Sequence, residues 1–556
     1  MLRIQEIKLP LDHPQEALRA EILRRLGLRE GGPENGAGNG GESGLISFSI
    51  FKRAYDARRK NAIQLIYIVD CEVRNEAGLL KRLSRDKHIS RSPELGYSPP
   101  PRAPAGCARP VVIGMGPCGL FAGLILAEAG FNPIILERGK IVRQRTVDTF
   151  RFWRQADLNP ASNAQFGEGG AGTFSDGKLY SQIRDPRHLG RKVLREFVDA
   201  GAPPEIMFVS KPHIGTFRLV SMIEHMRAKI EALGGEIRFE HQVTDLLMTE
   251  RGSEKRIAGV ALADGSVIEA GAVIMALGHS ARDTVAMLHR RGVFLEPKPF
   301  SIGVRIEHPQ SVIDCARFGK EHAGHPILGA ADYKLAHHAS NGRSVYSFCM
   351  CPGGTVVAAA SEPGRLVTNG MSQYSRRERN ANAGIVVGVA TEDFPGDART
   401  NPLAGIAFQR HWEEKAFIAG GSSWYAPVQR VGDFLSGRPS TSLGAVIPSY
   451  KPGVTPTDLS LCLPEYAVIA MREALGVFGR QIEGFSMDDA VMTGVETRTS
   501  SPVRITRGDD FQSLNVRGLY PAGEGAGYAG GILSAAIDGI RAAEAVAEAA
   551  SARAAA

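Results

Sequence analysis

The chain has 556 residues, 43% hydrophobic and 22% charged, which is ordinary globular composition, too long for one core and inconsistent with global disorder. No apolar run of roughly 18 residues occurs and the N-terminus lacks the apolar segment of a secretory signal, so the expectation is a cytoplasmic chain without a membrane span. The net charge is +7, and residues 1–109 hold 19 Lys/Arg against 13 Asp/Glu, so nearly all of the excess is N-terminal; the seven cysteines include no CxxC pair from which a zinc ribbon or a thioredoxin-type dithiol can be read.

In chain order, a strand (Leu2–Leu9) and an amphipathic helix carrying Leu18, Ile22 and Leu26 come first. A Gly-rich stretch (31–44) is read as a flexible insertion. Two β-rich runs, Leu45–Phe51 and Ala62–Val73, flank the basic stretch KRAYDARRK (52–60). Residues 1–91 thus form a small α/β module. The Pro-rich segment 92–110 neither extends a helix nor pairs centrally in a sheet, and is predicted to isolate the module as a linker. Residues 111–139 read strand, glycine turn, helix, strand: one βαβ unit. Next come a helix (219–232), a strand (237–247), a hairpin at Ala263–Gly265 and a buried strand (272–278), expected in one sheet region that closes a first cofactor-binding part, 111–295. Residues 296–490 mix short strands with Gly/Pro turns, as an inserted substrate domain of mixed α+β type does. The chain returns at 491–556 with a strand (518–524) and an Ala-rich helix (532–550).

GxGxxG occurs three times, at 114–119, 167–172 and 525–530. Only the first follows an apolar strand and opens a helix directly. There Gly114 allows the tight turn, Gly116 lets backbone approach a pyrophosphate and Gly119 permits close packing, with Pro117 and Cys118 opening the helix whose positive end faces the phosphates. Glu137, about 20 residues on and followed by Arg138, is placed to accept from the adenosine ribose hydroxyls. This unit alone does not distinguish FAD from NAD.

The far end of the chain does. Residues 518–531 (GLYPAGEGAGYAGG) resemble the C-terminal FAD motif of the glutathione-reductase-like flavoproteins, with Glu524 where an Asp is usual. The resemblance implies that Gly523 and Glu524 serve the ribitol or its phosphate, and that Gly530, Gly531 and Ile532 open a helix facing the flavin. Residues 272–280, with Gly278, resemble the internal strand of that superfamily, Leu277 standing in place of Thr. Further segments at 163–185, 298–310, 345–362, 376–389 and 495–507 resemble the bacterial FAD-dependent dehydrogenases, also called NAD(P)/FAD-dependent oxidoreductases, over nearly the whole chain. The implied fold class is α/β: an FAD/NAD(P)-binding Rossmann-like domain interrupted by a mixed α+β substrate domain and preceded by a small α/β module. The implied cofactor is non-covalent FAD and the implied activity an oxidoreductase, with no substrate supplied.

Around the flavin, Gly169, Gly170, Ala171 and Gly172 are expected to bring backbone amides toward the cofactor, and Val243 to border it. Ser175, Asp176 and Lys178 either reach the flavin or are surface polar residues. DGKLYSQIR (176–184) departs in spacing from the DGxxSxxR motif of aromatic hydroxylases. His279 is either an acid–base group or a turn histidine bonded to backbone, and Arg305 and His308 are a further polar pair. Cys349 and Cys351, two apart on a strand, read as buried filler, with a reactive or metal role as the alternative. No catalytic residue and no metal ligand is named. The expected partners are a small-molecule substrate and, since no second dinucleotide unit is present, a transiently docking NAD(P)H or protein electron partner. Nucleic acid is not expected, although the basic module leaves an RNA-associated flavoprotein as the alternative.

Overall fold

The computed structural model describes residues 1–29, 44–181, 183–252 and 254–555. The Gly-rich insertion lies outside these except for Gly44, as does Gln182 within the DGKLYSQIR segment. The apolar triplets Val111–Ile113, Ile134–Leu136, Val273–Met275 and Leu519–Pro521 are all buried. Strands apolar on both faces need cover on both sides, which a parallel sheet with flanking helices provides. They form a five-stranded parallel sheet in the order 519–521, 273–275, 111–113, 134–136, 236–238. Helix Pro117–Glu128 buries ten of its residues and packs against helices Ile532–Ala555 and Thr216–Ala232. Gly539 marks the closest approach, since a Cβ there would stand 2.1 Å from the Cys118 carbonyl oxygen.

The segment 237–247 is not one strand, and the region 218–278 is not one sheet. Glu240, at φ +59°, breaks it. Glu236–Arg238 joins the parallel sheet, whereas Val243–Arg251 pairs antiparallel with Glu254–Leu262 in a separate sheet. Helices Val142–Gln155 and Leu189–Asp199 appear where no element is expected from the sequence.

Residues 300–496 build a large sheet in the order 336–338, 344–358, 380–389, 300–309, 491–496, 426–430, 454–456, with 368–372 paired to 344–358. Its central strands are long, ten residues in Phe300–Pro309 and Asn380–Val389 and fifteen in Ser344–Ala358, in place of the short strands expected. Val491–Glu496, read above as part of the C-terminal return, lies inside this sheet between 300–309 and 426–430.

The N-terminal sheet has the order 45–56, 64–73, 2–10, 89–91. Its second strand, Leu45–Asp56, continues through half of the basic stretch, which therefore does not separate two strands as a loop. Nor does the linker isolate the module. The Arg53 amide donates to the Phe208 carbonyl (2.7 Å), Tyr55 packs edge-on against Phe318 (5.6 Å), and one apolar core runs from Leu2 through Phe152 to Val495.

The parallel and large sheets are joined by buried ions. Arg282 contacts Glu413 (2.6 Å) and Glu362 (2.8 Å), Arg410 meets Glu362 (2.5 Å), and Arg498 lies 3.3 Å from Glu413. Burial alone would raise the Glu413 carboxyl, but the guanidinium groups of Arg282 and Arg498 hold it well below the usual carboxylate range.

Candidate cofactor and redox site

One cavity runs from the first glycine turn to the edge of the large sheet. At its first end strand Val111–Ile113 delivers Gly114, at φ +100°, a conformation that L side chains rarely adopt. A Cβ on Gly119 would fall 1.9 Å from the Gly114 carbonyl oxygen, so the helix closes tightly on the turn. Among the described residues the only atom within 4 Å of a Cβ added at Gly116 is the Gly170 Cα, at 3.7 Å, and at Gly278, Gly530 and Gly531 there is none. These positions leave a cradle that side chains would fill. Helices Pro117–Glu128 and Ile532–Ala555 both begin at the cavity without an acidic residue in their first turns, so two positive helix ends face it.

The cavity is lined by Gly114, Gly116, Pro117, Cys118, Glu137, Arg138, Gly170, Ala171, Gly172, Val243, Gly278, Glu524, Gly531 and Ile532 among the residues expected from the sequence. Gly119, Gly169, Gly523 and Gly530 are not in its lining. The Gly169 amide donates to the Met115 carbonyl (2.8 Å) and that of Gly170 to Gly167 (2.9 Å), so neither points to a cofactor as expected. Gly523 donates to Asp538 (2.7 Å), which also holds Arg507 in a two-point pair.

Glu137 is 5% exposed and accepts from the amides of Met115 (2.9 Å), Gly139 (2.9 Å) and Gly167 (3.0 Å). Three of roughly four lone-pair directions are thus used, leaving one for a ribose hydroxyl. Arg138 bonds Asp283 and Thr284 and covers the Phe166 ring. The loop 163–170 is held by Arg145, whose buried guanidinium donates to the carbonyls of Asn163 (2.8 Å), Glu168 (2.7 Å) and Ala164 (3.1 Å). Burial draws its pKa down to about 10, against the opposing pull of Glu137 and Glu168. Sequence reasoning missed Arg145 and Asp538; the signal each carries is an ion on the apolar side of a helix.

The other end of the cavity is polar: Ser175, Asp176, Lys178, His279, Cys349, Asn369, Glu496, Arg498 and Thr499. Asp176 is 1% exposed and paired with Arg376 (2.5 Å), so it is no surface residue. Burial works against its charge, yet Arg376 and Lys178 keep its carboxyl below the usual range. Neither ring nitrogen of His279 has a hydrogen-bond partner among the described residues, which corrects the reading of a backbone-bonded turn histidine; Nδ1 lies 3.2 Å from Glu524. Arg305 and His308 are not a pair. Three positions apart on one strand, they face opposite sides. Arg305 binds Glu496 (2.6 Å) and the Cys349 carbonyl (2.9 Å), and buried His308 bonds the Phe485 carbonyl (2.6 Å). Cys349 borders the cavity and only Cys351 is fully buried, so the reading of both as filler does not hold for the first. Among the described residues no group of three or more His, Cys, Asp or Glu is placed to hold a metal, and no helix is long and apolar enough to cross a membrane.

Residues 299–499 match the family model "FAD-dependent protein, C-terminal domain-like". An uncharacterized protein of Clostridium beijerinckii is 46% identical over 552 residues, 98% of each chain. The chain belongs to one family with that protein, a family of FAD-dependent proteins, and its cofactor is FAD. Solved structures with weaker likeness include the 3-ketosteroid-delta4-(5alpha)-dehydrogenase of Rhodococcus jostii, at 12% identity and TM-score 0.35 over 81% of this chain and 99% of that one. CtdE in complex with FAD gives 13% identity and TM-score 0.28 over 80% and 89%. Likeness this low carries no argument about activity.

Proposed function

We propose that this protein is an FAD-dependent oxidoreductase acting on a small-molecule substrate. The observation that carries the reading is the meeting, in one cavity, of two helix N-termini from opposite ends of the chain with a polar wall of Lys178, His279, Cys349, Glu496 and Arg498. Bound FAD supplies two-electron chemistry there. Gly114 and Gly116 admit the pyrophosphate, Glu137 takes the adenosine ribose, and Glu524 with the helix from Ile532 serves the flavin half. A helix N-terminus at that point favours the negative charge of a reduced flavin. Lys178 orients an anionic or carbonyl-bearing substrate, and His279, whose Nε2 has no hydrogen-bond partner among the described residues, is placed to hold or accept a proton. The division into FAD-binding parts and a substrate domain (from 296) belongs to this proposal, with Val491–Glu496 on the substrate-domain side because it pairs inside the large sheet, and with the module (1–91) packed on the rest across the segment 92–110.

Electrons arrive from the substrate, a protein partner or transiently docking NAD(P)H. The RNA-associated alternative gains nothing from the comparisons, and in its basic stretch Arg53 stacks on Phe208 (5.3 Å) while Arg58 pairs with Asp56. The test is anaerobic. Purified protein is mixed with NADH, NADPH and a panel of oxidisable small molecules while flavin absorbance near 450 nm is followed. Bleaching by one donor class supports the reading; a chromophore identified by mass as FMN, or no flavin after incubation with FAD, overturns it. A tight stoichiometric nicotinamide complex with FAD in place would overturn the transient-docking part.

A further inference from the structure

We propose that Cys349 and Cys351 are a redox pair that passes two electrons to the flavin, closing a Cys349–Cys351 disulfide in the wall of the cofactor cavity. The inference deepens the oxidoreductase reading and rests on it. In the step both S–H bonds break, one S–S bond forms, and two electrons and two protons leave the thiols; FAD takes up the electron pair and both protons as FADH2.

Four features carry it. Cys349 lines the cavity together with Lys178, His279 and Ile532, while Cys351 lies buried behind it, the arrangement of an exchanging thiol and a partner shielded from solvent. The backbone is shaped for contact. Strand Ser344–Ala358 loses register with Asn380–Val389 between Phe348 and Cys351 and again before Gly354, and Cys349 sits at φ +41°. Residues two apart span at most roughly 7 Å even when extended. The Cα atoms joined by a disulfide stand roughly 4.4–6.8 Å apart, a separation within that reach. The two residues already meet: the Cys351 thiol donates to the Cys349 carbonyl at 3.3 Å.

The fourth feature is charge. Lys178 Nζ donates to the Met350 carbonyl and Arg305 Nη1 to that of Cys349, so two cations hold the peptide between the thiols. The neighbouring Cys351 and these cations draw the Cys349 thiol down despite its burial, while the neighbouring Cys349 and burial push Cys351 up. Filler cysteines in the same chain behave otherwise. Cys71 and Cys462, in apolar surroundings, are both pushed up to about 12 by burial.

The test uses full-length FAD-bound protein, reduced with dithiothreitol, desalted and exposed to air so that oxygen keeps reoxidising the flavin. Denaturation in N-ethylmaleimide and peptide mass should then find the Cys349/Cys351 peptide unalkylated and 2 Da lighter than its dithiol form, with Cys71 and Cys462 alkylated as internal controls. Anaerobic titration of the air-exposed protein with dithionite should consume four electrons per FAD in wild type and two in Cys351→Ser. Alkylation of both thiols, with only two electrons consumed by wild type, overturns the redox pair while the oxidoreductase reading survives on the reduced FAD. A bound FAD that dithionite cannot reduce would instead sink that reading. The wild-type mass measurement stands even if the serine variant fails to fold.

Discussion

His279 Nδ1 lies 3.2 Å from a carboxylate oxygen of Glu524, joining the ends of two neighbouring strands of the parallel sheet in the wall of the cofactor cavity. Because the imidazole has no other polar partner among the described residues, its loss should cost little stability. His279→Ala is expected to retain stoichiometric FAD and its unfolding midpoint. It should slow flavin reduction by an active donor by about 10²–10⁴-fold, the usual reach of a general acid–base group. Stopped-flow reduction beside a thermal melt separates the two, and an unchanged rate would remove His279 from the chemistry.

Gly116→Val should abolish FAD binding without unfolding the chain, because an added Cβ meets only the Gly170 Cα at 3.7 Å and the branched bulk enters the space of the phosphates. Glu137→Ala should do two things at once. Removing one hydrogen bond to a charged group weakens FAD by about 1.5–3 kcal/mol. Three backbone amides also lose their acceptor, so the apoprotein should melt earlier. Fluorescence titration with FAD and calorimetry of the apoprotein read these separately.

Glu413→Ala leaves Arg282 and Arg498 buried with too little negative charge beside them, a change that costs about 3–5 kcal/mol when one partner of a buried pair is removed. Urea unfolding should show the loss. A Glu413→Ala midpoint equal to wild type would mean that the network does not hold the two sheets together.

His308 is fully buried, and burial draws its pKa down to about 4, outweighing the bond to the Phe485 carbonyl. The native state therefore favours the neutral ring. Its contribution is complete above the unfolded value of about 6.5 and is lost as pH falls toward about 4, amounting to about 2–3 kcal/mol between pH 7 and 4.5. His308→Gln keeps a donor for Phe485 without titrating, so its stability should fall less than that of wild type over this interval. Identical pH profiles in urea unfolding would contradict the assignment.

Removing residues 1–105 should lower stability and solubility, since Phe318 loses Tyr55 and the shared apolar core is cut. No described residue of that segment lines the cofactor cavity, so whatever folds should still bind FAD. A folded, soluble but colourless truncation would place the module in the flavin site.

Much of the cofactor end was legible in the linear chain because its determinants are local. A strand, a glycine turn and a helix are set by neighbours in sequence, which is why Gly114, Gly116, Glu137 and Ile532 reach one cavity as expected. Gly169 and Gly523 were misplaced because the direction of a backbone amide depends on which carbonyl or carboxylate lies opposite, here Met115 and Asp538. At the polar end Lys178, His279 and Cys349 stood out singly as candidates, but their meeting with Arg498 in one wall was not legible. Lys178, His279, Cys349 and Arg498 are up to 320 residues apart and belong to a loop, a parallel-sheet strand end, a kinked strand and the exit of another.

The linear chain thus pointed to the class of cofactor, through a local strand–glycine turn–helix unit and the resemblance of residues 518–531 to a flavoprotein motif. Only the tertiary structure decided which ions face which. Cys349 reads as strand filler until the register break at Phe348 turns it toward the cavity beside Lys178 and Arg305, because alternation along a strand predicts a face only where pairing is unbroken.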